Sequence, residues 1–197
     1  MSARLCRFLG FLAYPRLTLI WGNASMFGLF KPKLAPDGPV TFTLPVEIEA
    51  PVEDVYALVD WASPANAKVQ LGHRVEPIAG RPGEYLLVMR GLEDLRMEFG
   101  VTEAVPNQVY AFNCEITPKV GRLLHSAERY EFEAIDAQRC QVTLTTTAQF
   151  EDGMRMKDYT HELHMMAQAS AQAMGKFKLH AEQGVDVVKE IEACQLG

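Results

Sequence analysis

The hydrophobic period of this chain changes at Glu151-Asp152-Gly153, and that change limits what the chain can fold into. Before it, apart from one short helical stretch, apolar side chains recur at every second residue; after it they recur at steps of three and four. Strands gathered first and a helix gathered last describe an α+β domain, with the helix laid on one face of an antiparallel sheet. A parallel doubly wound sheet would need strands alternating with helices along the chain.

The strand half begins at Val40, where Phe42, Leu44, Val46 and Ile48 share one side and Thr41, Thr43, Glu47 and Glu49 the other. Pro51 then opens a short amphipathic helix. Val52, Val55, Tyr56 and Val59 fall on one face of it, and Glu53 and Asp54 sit in the first turn, where the helix dipole favours acids. Ser63-Pro64 ends this helix, and 65–68 predicts a further helical turn before the chain extends over 73–78. Strands are expected over 85–90, 95–103, 108–116, 126–135 and 140–150. The last of these turns Cys140, Val142, Leu144, Thr146, Ala148 and Phe150 inward. One long helix over 154–190 closes the chain, its stripe running from Tyr159 and Leu163 to Gly184, Val188 and Ile191.

The first 39 residues form a separate apolar, basic arm and linker ahead of a body over 40–190. Residues 1–36 hold five basic side chains and no acid, which leaves 14 basic and 25 acidic residues for the body, a net charge of −11. An acidic body repels phosphate backbones, so nucleic acid is not the expected partner, while the basic head suits an anionic membrane surface. Pro15 and Arg16 interrupt the apolar run, so neither half of the head is long enough to span a bilayer, and no small-x-small cleavage site follows cleanly. Three readings stay open for residues 1–36: short helices lying in a membrane interface, an arm that packs on the body or on a second copy in a homodimer, or a targeting segment. Pro32, Pro36, Gly38 and Pro39 mark the linker.

Cys6, Cys114, Cys140 and Cys194 are too scattered for a disulfide scaffold or a zinc site. Free thiols point to a reducing cytoplasm, with the head allowing peripheral contact with the inner face of a membrane.

The order strand, short helices, meander, long helix, joined to the run VEIEAPVEDVYALVDWASPANA, resembles the START/SRPBCC helix-grip superfamily, which includes polyketide cyclase/dehydrase and lipid-transport proteins. The segments that carry the resemblance are Ile48-Glu49-Ala50-Pro51, the helix from Val52 to Asp60, and Glu128-Arg129-Tyr130-Glu131-Phe132-Glu133. It covers roughly residues 40–185. It implies a curved antiparallel sheet wrapped around the long C-terminal helix, two short helices after the first strand, and an apolar cavity between sheet and helix. It supplies no catalytic motif and implies no cofactor.

Small residues at the middle of the helix, among them Ala169, Ser170 and Ala173, either leave room for such a cavity or let the helix approach the sheet closely. Phe99, Tyr110, Phe112, Tyr130 and Phe132 are the expected ligand-binding residues on the sheet. Leu163, Met166, Ser170, Met174 and Phe177 are those expected on the helix.

Chemistry is harder to place. His161 and His164 stand three apart, but no third ligand at a fixed spacing accompanies them, so no metal site is expected. Arg90, Arg96, Glu98, Asn113 and Glu115 lie on strands, as do His125 and Glu128, where a slip of one residue in side-chain parity would turn any of them inward. An outward position on a solvated face is the expectation for each. No nucleophile–base pair, phosphate loop or dinucleotide fingerprint is present. The sequence therefore favours a non-catalytic binder or carrier of a small hydrophobic ligand that is lipid, isoprenoid or polyketide-like. A cyclase or dehydratase acting in the same cavity, and a protein-interaction module, are the alternatives.

Overall fold

The computed structural model describes residues 33–196; the apolar head, and with it every reading placed on residues 1–32, lies outside the described residues. Seven strands form one antiparallel sheet: β1 (Val40–Ile48), β2 (Arg74–Pro77), β3 (Glu84–Val88), β4 (Arg96–Val105), β5 (Val109–Thr117), β6 (Leu123–Asp136) and β7 (Arg139–Phe150). Their spatial order is β1-β7-β6-β5-β4-β3-β2, a meander whose first strand returns to pair with its last. Two short helices, α1 (Val52–Val59) and α2 (Ala67–Gln70), connect β1 to β2, and α3 (Met156–Gln183) is the long helix.

The period-two sides come out as the sequence predicts. On β7, Cys140, Val142, Leu144, Thr146, Ala148 and Phe150 are all buried, and the residues between them are exposed or half-buried. β1 lies at the sheet edge, which accommodates Pro45, because a residue without an N–H cannot serve a central ladder. Register shifts at Val101/Glu103, Leu123/His125 and Ala134/Asp136 are sites of the kind that bend and twist a strand locally, and so help the sheet curve.

The main core lies where α1 closes on the sheet. Val55, Tyr56 and Val59 pack with Ile48, Tyr110, Phe132 and Val142. The Tyr56 ring meets Tyr110 and Phe132 edge-on, with centroids 5.8 Å and 5.4 Å apart. A smaller cluster of Ala148, Phe150 and Met154 holds the start of α3, together with Ala35 and Tyr159. Lys33–Ala35 therefore do more than link: Ala35 N–H donates to the Met154 carbonyl at 2.9 Å and Met156 N–H to the Lys33 carbonyl at 2.8 Å.

The closing helix is not continuous to residue 190. At Gly184 the backbone takes φ 86 and ψ 172, α3 stops, and a separate helix α4 (Val185–Leu196) begins. Val188 is buried and Lys176 Nζ donates to Glu192 Oε1 at 3.0 Å, so α4 is held against α3. Among the described residues no helix is long and apolar enough to cross a membrane.

Candidate functional site: a cavity between sheet and helix

A cavity of about 470 Å³ lies between the sheet and α3, within the size range of small-molecule pockets. It exists because α3 rests on one side of the sheet, against β1, β7 and α1, while its row of Met165, Ala169 and Ala173 faces the open space. Ala169, Ser170 and Ala173 line the cavity, so at these positions the small side chains leave room. Gly175, by contrast, has no neighbouring atom within 4 Å of an added Cβ, so close helix approach is not its role.

Of the sheet residues named from sequence, Phe99, Phe112 and Tyr130 line the cavity; Tyr110 and Phe132 do not, being buried in the adjoining core. Of those on the helix, Met166, Ser170 and Phe177 line it, whereas Met174 packs into the core and Leu163 lies off the wall. Tyr110 has a different task, its hydroxyl accepting a 3.0 Å hydrogen bond from the Trp61 backbone N–H. That bond fixes Trp61, whose ring stacks on Phe99 at 4.3 Å and meets Phe112 edge-on at 5.5 Å, giving the cavity an aromatic wall. Tyr130 and Phe177, 6.1 Å apart, join sheet to helix.

The wall also contains charge. On β6 the inward residues are Ser126, Glu128, Tyr130 and Phe132, so Glu128 faces the interior rather than solvent. It sits opposite Phe112 on β5 and Thr146 on β7, and its Oε2 accepts a 3.0 Å hydrogen bond from the Tyr130 hydroxyl. Burial raises the Glu128 carboxyl above its ordinary range, against the opposing pull of that hydrogen bond and of the Lys68 charge. Burial, then the Glu128 charge and hydrogen bond, push the Tyr130 hydroxyl well up in turn. The Cys114 thiol, also on the wall, is pushed up to about 12, chiefly by burial and next by Glu128. A carboxyl so placed keeps its proton to higher pH than an exposed one, which suits a proton donor.

Lys68 lines the cavity from α2, its amine lowered by burial in spite of Glu192 and Glu128 nearby. The short helix is anchored at both ends. Asn66 Oδ1 caps it by accepting from the Lys68 backbone N–H at 2.9 Å, and Gln70 Oε1 meets His180 Nε2 of α3 at 3.1 Å. Among the described residues no group of three or more metal-ligating side chains forms; His161 and His164 are exposed on α3.

An antiparallel sheet gripping one long helix recurs in solved structures. Ara h 8.0201 is similar over 72% of this chain and 95% of its own, at 12% identity and a TM-score of 0.54. This chain has the helix-grip fold. The Zhui aromatase/cyclase of a Streptomyces species is similar to this helix-grip chain over 74% of its length and 98% of the other, at 14% identity and a TM-score of 0.53. The di-domain ARO/CYC BexL is similar at 18% identity and a TM-score of 0.52, over 75% of this chain and 51% of that one. No family model matches the sequence, and no curated protein matches it either.

Among the charged wall residues, Glu128 was expected to face outward, and Lys68 and Glu192 were not singled out, each for a different reason. Glu128 was within reach, since the parity that turns Tyr130 inward also turns a residue two positions earlier inward. Lys68 stands on a helix of four residues, too short to carry a periodic signal. Glu192 reaches the cavity only because α4 folds back after Gly184.

Proposed function

We propose that the protein binds a small hydrophobic ligand in the cavity between the sheet and α3, as a binder or carrier. The observation that supports this most is the cavity itself: about 470 Å³ bounded mainly by aliphatic and aromatic side chains, kept open by the small residues of α3. Burial of apolar surface supplies roughly 25 cal/mol per Å², which favours an apolar guest over water in such a space. A protein-interaction module working through a filled interior receives no support from an open cavity.

A second reading, an enzyme of the cyclase or dehydratase type, is favoured by one feature, the inward Glu128 carboxyl with its raised proton affinity beside Tyr130. In that reading Glu128 is the proton donor. The Zhui and BexL names refer to aromatase/cyclase proteins, which fits it at the level of the shared fold.

Native mass spectrometry of the protein purified from its source, followed by denaturation and extraction, tests both readings. The binding function predicts a bound small molecule, recovered in identical form from the wild type and from Glu128→Gln. Different molecules from the two proteins would favour the enzyme. An apo mass that persists after incubation with a lipid extract would contradict the binding function.

A further inference from the structure

We propose that the ligand ends in a carboxylate, which Lys68 holds at the α2 end of the cavity while the apolar remainder runs along α3 toward Met165. This rests on the binding function above and specifies its ligand class.

Two carboxylates on the cavity wall are already engaged. Glu192 accepts from Lys176 at 3.0 Å, and Glu128 accepts from Tyr130 at 3.0 Å. Lys68 also faces the cavity, yet among the described residues its ammonium forms no hydrogen bond or close ion pair; Glu192 and Glu128 act on it only at longer range. Lys68 is half-buried on a largely apolar wall, and an ammonium placed there without a direct partner gains from a guest bearing the opposite charge. A carboxylate supplies both the charge and the acceptor oxygens for the three N–H donors. The anchoring of α2 through Asn66 and Gln70 fixes the lysine backbone beforehand, so less order is lost on binding.

The opposite end of the cavity gives the direction. Val120, Leu123, Met165 and Met166 line it, with Val120 and Met165 half exposed at the rim, which suits an apolar chain. Glu162 is there as well, close enough to the β5–β6 loop that a Cβ added to Gly121 would lie 2.9 Å from its Oε2. A guest carboxylate at that end would face Glu162, whereas at the α2 end Lys68 and Lys176 offset Glu128 and Glu192. Between Glu162 and His180, both on the wall, the helix rises about 27 Å at 1.5 Å per residue, so the guest is elongated.

Calorimetric titration of the full chain with hexadecanoate and with hexadecanol, both below self-association, separates the head group from the tail. Wild-type protein is expected to bind the acid about tenfold more tightly or better, a difference of about 1.4 kcal/mol. Lys68→Met should abolish the preference while leaving affinity for the alcohol within about twofold, and Lys68→Arg should keep it. Equal affinity of the wild type for acid and alcohol overturns the carboxylate inference alone, and this comparison needs no variant. A preference surviving in Lys68→Met overturns the role of Lys68. Failure of the wild type to bind either compound overturns the binding function, and the inference with it.

Discussion

Glu128 illustrates how a single residue sets both the chemistry and the stability of this cavity. Its carboxyl is held above its ordinary range by burial, whereas in an unfolded chain it titrates near the reference value of about 4.3. A raised folded value means that stability is fully present below pH of about 4.3 and is lost as the pH rises through the folded value. Glu128→Gln keeps an acceptor for the Tyr130 hydroxyl and removes the titration. The melting temperature of the variant relative to wild type should therefore climb from pH 4 to pH 8; a difference that is flat across this range would show that the carboxyl is not stressed by burial. The residue was legible in outline, because Tyr130 and Phe132 were placed inward and strand parity carries Glu128 with them. A general expectation that charges face water outweighed that count. Trp61 was not legible in the same way, since its place on the wall depends on a hydrogen bond to Tyr110, 49 residues away.

Among the elements, the helix break at Gly184 is the one that the pattern concealed. Apolar residues continue through Ala181, Val188 and Ile191 at helical steps, and a glycine inside a helix costs only about 1 kcal/mol relative to alanine, so periodicity cannot tell a tolerated glycine from a break. The backbone settles it: φ 86 with ψ 172 is a conformation essentially confined to glycine. Gly184→Ala should cost about 1–3 kcal/mol in urea unfolding, provided that the α3–α4 junction persists. Unchanged or increased stability would mean that the two helices merge at little cost and that Val188 and Glu192 are not fixed beside the cavity. Strands were easier to read than helix ends, because alternation over β4, β5 and β7 reports burial directly, while a helix terminus depends on one residue's backbone angles.

At the scale of the whole molecule, sheet, grip helix and short helices were foreseeable from the order in which the hydrophobic period changes. The cavity was foreseeable only as one of two outcomes. Small residues on α3 are compatible with close packing as much as with open space, and the path of the helix over β1 and β7, rather than across the full sheet, decides between them. Ala173 lies on the open row of α3, where an indole would occupy the space rather than displace the core. Titration of the neutral fluorescent probe N-phenyl-1-naphthylamine into wild-type protein and Ala173→Trp therefore tests the central claim most directly. Saturable binding to the wild type, weakened about tenfold or more in a variant that melts at the same temperature, is the predicted result. Equal binding by the two proteins, or none by the wild type, would contradict it.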